Sequence, residues 1–256
     1  MQPESRVYLL AGQSNMAGRG NAAELPPELR SPLADIPFFY ETDFGRDRTT
    51  TPPSRSDGWT TLRPQPRRPS VPADHFGPEI SFGRRIREIE TGVHHAIIKV
   101  AYGGTDLVRD WCPGSRDGLG CYARMMETAN EALQSLPSSH MAALVWMQGE
   151  ADAMDEAKAD AYEDNLLRFI EKLRGDLTAP DLRVIVGRIH LAPALRFPER
   201  VRQAQTRVAE ADPLVSLADT DDLTLSDQIH FDTASQIELG RRFVDARAHG
   251  GTSDSP

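Results

Sequence analysis

Ser14, Asp227 and His230 are the residues whose types and spacing first suggest chemistry. Ser14 lies in Ala11-Gly-Gln-Ser-Asn-Met16, in a tight turn directly after a short apolar run. A serine hydroxyl is a weak nucleophile until a base takes its proton. Asp227-Gln-Ile-His230 supplies a base together with its orienting group. A carboxylate three residues before an imidazole can accept from one ring nitrogen while the other faces a nucleophile. Read singly, Ser14 also suits a helix N-cap, and Asp-x-x-His is a frequent surface pair. Read together, they make a complete nucleophile, base and orienter. The serine block is not the Gly-x-Ser-x-Gly elbow of α/β-hydrolases, because position 16 is Met.

Acyl transfer also needs donors for the oxygen that becomes negative in the transition state. Gly103-Gly104 would bring backbone N–H groups close to the carbonyl Ser14 attacks, and Gln148 offers a side-chain amide. With the Ser14 N–H, the Gly104 N–H and the Gln148 amide would form an oxyanion hole, each donor contributing on the order of 3 kcal/mol. A turn and a buried hydrogen-bonding amide are the plainer readings of the same residues. Glu150 rivals Asp227 as the group orienting His230, with Asp219, Asp221 and Asp222 behind it. Gln13, Asn15, Thr105 and His190 stand beside these residues as further candidates for substrate or structural contacts. Trp111, after Arg109-Asp110, would either stack on a sugar face or pack within its loop. His94 and His95 begin a strand and read as structural. His75 with two cysteines falls short of the three or four ligands a zinc site needs, so no metal is expected.

These residues must be positioned by regular elements. Val7–Leu10, Ala96–Val100, Leu144–Met147, Val184–Ile189 and Leu214–Leu217 are short apolar runs suited to strands buried on both faces. Helical stripes lie between them: Ile80, Ile86 and Ile89; Tyr162, Leu166, Phe169, Leu173 and Leu177; Val201, Ala204, Val208 and Ala211. A last helix opens at Thr233-Ala-Ser-Gln236, a capping-box pattern, and continues through Ile237 and Phe243. The alternation predicts an α/β fold, a five-stranded parallel sheet wrapped on both faces by right-handed crossovers. In such sheets ligands bind beyond the carboxyl ends of the strands, where all the candidate residues except His75, His94 and His95 fall.

The segment from about 20 to 76 breaks the pattern. Eleven of the 19 prolines lie between Pro26 and Pro78, amid Arg46, Arg48, Arg55, Arg63, Arg67 and Arg68. It reads as a long surface excursion unable to carry a long helix or a central strand. Residues 1–248 are expected to form a single domain, with a frayed tail at 249–256.

The 256 residues carry 29 Lys and Arg against 38 Asp and Glu, a net charge of −9. That balance argues against a nucleic-acid partner, which favours a basic face. No stretch approaches the roughly 18 apolar residues of a membrane span. The polar start, Met1 to Val7, lacks a signal-peptide pattern, so the expectation is a cytoplasmic chain, or a secreted one whose leader has been removed. Cys112 and Cys121 share one loop and read either as a local disulfide or as two thiols. The sequence carries no sign of oligomeric state.

Gly12-Gln-Ser-Asn-Met16, Phe76-Gly-Pro-Glu79, Gly103-Gly-Thr105, Met147-Gln-Gly-Glu150 and Asp227-Gln-Ile-His-Phe231 occur in this order along nearly the whole chain. In this the sequence resembles the SGNH-type hydrolases, and within them the sialate O-acetylesterase/acetyl xylan esterase group, carbohydrate esterase family 6. It departs from the wider superfamily in reading Gly-Gln-Ser for Gly-Asp-Ser and Gln-Gly-Glu for Gly-x-Asn-Asp. The resemblance implies a three-layer α/β/α sandwich of flavodoxin-like type. It also implies removal of O-acetyl groups from a sugar, with water as the second substrate and no metal or organic cofactor. Ser14 would be the nucleophile, His230 the base and then acid, and Asp227 its orienter. The other readings are a catalytically silent carbohydrate-binding or scaffold domain, and a lipase or thioesterase of broader acyl specificity.

Overall fold

The computed structural model describes residues 4–43, 52–68 and 71–249. In chain order the elements are β1 (Ser5–Gly12), α1 (Ser14–Ala17), β2 (Gly20–Asn21), α2 (Pro27–Arg30), β3 (Leu33–Asp43), β4 (Ser54–Arg55), β5 (Thr60–Leu62), β6 (Gln65–Arg68), β7 (Val71–Phe76), α3 (Glu79–Ile89), β8 (His94–Tyr102), α4 (Cys121–Gln134), β9 (Ser139–Met147), α5 (Glu156–Asp160), α6 (Tyr162–Asp176), β10 (Arg183–Gly187), α7 (Pro198–Ala211), β11 (Val215–Ala218) and α8 (Thr233–His249). The main sheet runs β11-β10-β9-β1-β8-β3-β4, with β5 also on β3.

The α/β class stands, and the sheet is larger than the five strands expected. All five predicted runs are there as parallel strands. β3 adds a sixth beside β8, paired from Phe38 opposite Ile97 to Asp43 opposite Tyr102, and β4 and β5 pair antiparallel to it. The 20–76 segment is therefore not a surface excursion throughout. Its Phe38 and Phe39 are buried in the core, and Pro37 sits next to a register shift, where its missing N–H disturbs the ladder least. Proline density hid an eleven-residue strand because only one proline, Pro37, falls inside it.

β1 is the central strand, and Val7 to Ala11 are wholly buried between β8 and β9. From β1 the chain passes first to β3, on the far side of β8, and comes back by way of α3 to β8, which lies between them. It then returns across β1 to β9, β10 and β11 by way of α4, α6 and α7. Helix α3 packs with α8 on one face, where α8 also meets β10 and β11, while α4, α6 and α7 pack together on the other. The order reverses at β1 and β9, so the crevice beyond their carboxyl ends is the topological switch point.

The predicted stripes are the buried faces: Tyr162, Leu166, Phe169 and Leu173 in α6, and Val201, Ala204 and Val208 in α7. Ile89 and Ala211, at the ends of α3 and α7, are exposed, and Leu177, just past α6, is half-buried. The cap of α8 is Asp232 and not Thr233, since Asp232 Oδ1 accepts from the Ser235 N–H at 2.8 Å. Helix α8 continues through His249, and the rest of the predicted tail lies outside the described residues. Cys112 and Cys121 are not bridged to each other.

One buried ion pair ties three elements together under α1. Lys99 on β8 donates to Glu79 Oε2 at 2.7 Å and to the Ala17 carbonyl at 2.8 Å, with both side chains fully sealed from water. Glu79 in turn accepts from the Gly77 N–H. Burial pulls the Lys99 pKa down, and the Glu79 carboxylate opposes the shift. Removing one partner strands the other charge in the core. Lys99→Met should therefore lower stability by about 3–5 kcal/mol, and adding Glu79→Leu should return part of that loss. Chemical denaturation of the two variants tests this, and a single variant as stable as the wild type would refute it.

Candidate active site

Gly12 ends β1 in a conformation open to glycine, with φ +148°, and a Cβ there would lie 2.0 Å from the Met147 carbonyl oxygen. Because β1 and β9 approach so closely, the chain turns sharply, and the Gln13 N–H donates to that same carbonyl at 2.9 Å. Ser14 then opens α1, a single turn whose first N–H groups have no carbonyl four residues back to bond. At the other end of the chain, the 226–230 loop is closed by a bridge between Leu225 and Phe231 and by the Ser226 N–H on the His230 carbonyl.

The two segments meet at Ser14. His230 Nε2 lies 3.0 Å from Ser14 Oγ, and His230 Nδ1 lies 2.7 Å from Asp227 Oδ2. The carboxylate accepts from Nδ1–H, which leaves Nε2 as acceptor for the serine hydroxyl. Asp227 Oδ1 also accepts from the Ile229 and His230 N–H groups, at 2.8 and 2.7 Å. Partial burial alone would raise the Asp227 pKa. The hydrogen bonds from the His230 side chain and the two N–H groups outweigh it and bring the pKa down to about 2. Asp227 is thus an anion throughout the neutral range.

Glu150, the rival orienter, is elsewhere. Its Oε1 accepts from Asn15 Nδ2 at 2.5 Å, and full burial raises its pKa. Asn15 Nδ2 also donates to the Ile229 carbonyl at 3.2 Å, and its Oδ1 accepts from the Phe231 N–H at 3.1 Å. Asn15 thereby holds the backbone on both sides of His230. Asp219 and Asp221 pair with Arg188, and Asp222 pairs with Arg242.

Gln148 and Thr105 are support. Gln148 is wholly buried. Its Nε2 donates to Asp152 Oδ2 at 2.6 Å and to the Thr105 carbonyl at 3.0 Å, which occupies both amide hydrogens. Thr105 Oγ1 donates to the Tyr102 carbonyl and accepts from Trp111 Nε1, so Trp111 is packed in its loop and presents no face to a sugar. Gly103 N–H is taken by the Asp43 carbonyl at 2.7 Å, whereas the Gly104 N–H, at φ +68°, has no backbone acceptor among the described residues. His190 packs edge-on against Phe231 and lies outside the Ser14–His230–Asp227 line. His95 is buried at the far end of β8, and its pKa falls to about 4 through desolvation. Among the described residues no cluster of three or more His, Cys, Asp or Glu is placed to hold a metal, and no helix is long and apolar enough to cross a membrane.

Asp152, two residues beyond Met147-Gln-Gly-Glu150, is a site residue that the sequence pattern does not single out. It accepts from the Leu107 N–H and from Gln148, and burial lifts its pKa from the ordinary 3.8 to about 7. Between those values the native state binds more protons than the unfolded chain, so stability falls as pH rises through this window. Asp152→Asn removes that slope. Melting curves from about pH 5 to about pH 8 should show the wild type losing more stability than the variant. Parallel losses would refute the assignment.

The family described as "Carbohydrate esterase, sialic acid-specific acetylesterase" matches residues 4–249. "Probable carbohydrate esterase At4g34215" of Arabidopsis thaliana is 27% identical, over 95% of this chain and 90% of that one. The X-ray structure of the At4g34215 protein superposes with a TM-score of 0.76 at 25% identity, covering 96% of this chain and 98% of that one. XAC1771 from Xanthomonas citri, a novel carbohydrate acetylesterase, shares the fold at 20% identity with a TM-score of 0.67, over 97% of this chain and 57% of the other. The match across the length of the chain places it in the sialic acid-specific acetylesterase family of carbohydrate esterases, and with it among the carboxylic ester hydrolases.

Proposed function

We propose that this carbohydrate esterase removes O-acetyl groups from a sugar through an acetyl-serine intermediate. The observation that carries the proposal is the unbroken line from Ser14 Oγ to His230 Nε2 at 3.0 Å and from His230 Nδ1 to Asp227 at 2.7 Å. As Ser14 Oγ attacks the acetyl carbon, its proton passes to His230 Nε2 and the carbonyl electrons move to the oxygen. The tetrahedral adduct collapses when His230 returns the proton to the departing sugar oxygen. Water then repeats the sequence on the acetyl-serine and releases acetate. Asp227 holds the imidazole in the tautomer the first transfer needs and stabilises the cation that follows.

The family description and the names of At4g34215 and XAC1771 support carbohydrate as the alcohol and acetyl as the acyl group. A sialate substrate would bring a carboxylate toward a chain of net charge −9 and would require a local cation. By sequence, Arg19, Arg46, Arg63, Arg67, Arg68 and Arg109 are the sources of such a cation; Arg109 already pairs with Asp106 at 3.0 Å, and the side chains of Arg46, Arg67 and Arg68 lie outside the described residues. Acetate release from acetylated sialic acid, acetylated xylan and simple acetylated sugars ranks these alcohols.

Ser14→Ala should reduce hydrolysis of 4-nitrophenyl acetate and of the best sugar by on the order of 10⁴ or more, with the fold intact. Equal rates in the two proteins would overturn the proposal. A wild type that binds acetylated glycan without releasing acetate would favour the silent binding module instead. Asn15→Ala should lower kcat by roughly 10²-fold with a small change in KM, since it frees the backbone beside His230 and small misplacements of catalytic groups are costly. Steady-state kinetics of the folded variant provide the test, and an unchanged kcat would count against this role for Asn15.

A further inference from the structure

Two glutamines face the end of β1, and their amides are oriented differently. Gln148 has both N–H groups committed, and its Oε1 accepts from the Tyr162 hydroxyl at 3.1 Å. It has no hydrogen left for a substrate. Gln13 is held from the opposite end. Its Oε1 accepts from the Ala151 N–H at 3.2 Å and from the Gly149 N–H at 3.4 Å. Two backbone donors on one oxygen fix which end of a planar amide points toward the β9 loop, so the Gln13 NH₂ points away from it. No described residue accepts from that nitrogen, and it is not among the interior polar atoms sealed from solvent without a partner. Gln13 is nonetheless only 2% exposed, and the next residue in the chain is Ser14.

From this geometry we infer that Gln13 Nε2–H is the side-chain donor of the oxyanion hole, completing it with the N–H groups of Ser14 and Gly104. The inference rests on Ser14 being the nucleophile. When the bond from Ser14 Oγ to the acetyl carbon forms, the π electrons settle on the carbonyl oxygen, and the Gln13 amide donates a hydrogen bond to it without giving up its proton. That bond weakens again when the C=O re-forms and the sugar oxygen leaves, so it favours the transition state over the bound ester. The assignment gives a reason for glutamine at position 13. Glutamine both accepts from the β9 loop and donates to the substrate, whereas an aspartate or glutamate anion would only accept.

Gln13→Glu separates the two ends of this side chain. It keeps an oxygen for the Ala151 and Gly149 N–H groups and replaces the donor with a second acceptor. Gln13→Met keeps the length and removes both functions. With 4-nitrophenyl acetate and an acetylated sugar, both variants should lose about 10²–10³-fold in kcat with KM changed only a few-fold. Gln13→Glu should also melt close to the wild type. A wild-type kcat in either folded variant, or a loss confined to KM and melting temperature, overturns the assignment. The Ser14→Ala control distinguishes the two failures. If Ser14→Ala is inactive while Gln13→Glu keeps its kcat, only the role of Gln13 falls. If Ser14→Ala is as active as the wild type, the esterase mechanism falls first.

Discussion

Asn15 joins the two ends of the chain at the site. Its side-chain amide bonds the Ile229 carbonyl and the Phe231 N–H, so the backbone carrying His230 is gripped by the residue that follows Ser14. Two further contacts hold Asn15 itself: the buried Glu150 carboxyl takes its amide hydrogen at 2.5 Å, and Gln236 in α8 donates to its carbonyl at 3.4 Å. Segments more than 200 residues apart are thereby set in one register, and the 3.0 Å contact between Ser14 and His230 is a consequence. Most of the surrounding architecture serves to bring these two segments within reach of that grip.

The floor of the site is polar and dry, which is unusual for the centre of a fold. Gln148, Glu150, Asp152 and the Lys99–Glu79 pair are all buried within a few residues of strand ends. Each such group is costly to desolvate and is tolerated only where partners meet it at good geometry. The partners here are mostly backbone groups of the rim loops, at Gly77, Ala17, Thr105 and Leu107. The same bonds that satisfy the interior therefore fix the loops that shape the crevice. A loop held at several points by buried polar side chains keeps its N–H groups aimed before substrate arrives, and preorganised dipoles are what stabilise a developing oxyanion.

The segment from 20 to 76 shows how a compositional signal can mislead. Proline and arginine density marks a chain unlikely to propagate regular structure, and much of the segment does run as short strands and turns. Yet Phe38-Phe-Tyr-Glu-Thr-Asp43 reads as an ordinary buried parallel strand once isolated, and β8 needs a neighbour on its open edge. The density of prolines around a strand does not bear on the strand, because each proline removes only its own N–H.

The residues that the structure brings together at the site were largely legible in the sequence. Ser14, His230 and Asp227 stood out because their types make a nucleophile and base and because strand-end positions in parallel sheets converge on one rim. The helical stripes and the five predicted strands were equally visible, since burial of one face or of both leaves a periodic trace. Tertiary structure decided the rest, for a physical reason common to every case. Which carboxylate meets the imidazole, Asp227 or Glu150, and which amide faces outward, Gln13 or Gln148, depend on hydrogen-bond directions between groups distant in the chain. Gln and Glu residues next to one another in a block look interchangeable by type. Only the packed loops determine which polar atoms are used inside and which one is left to act.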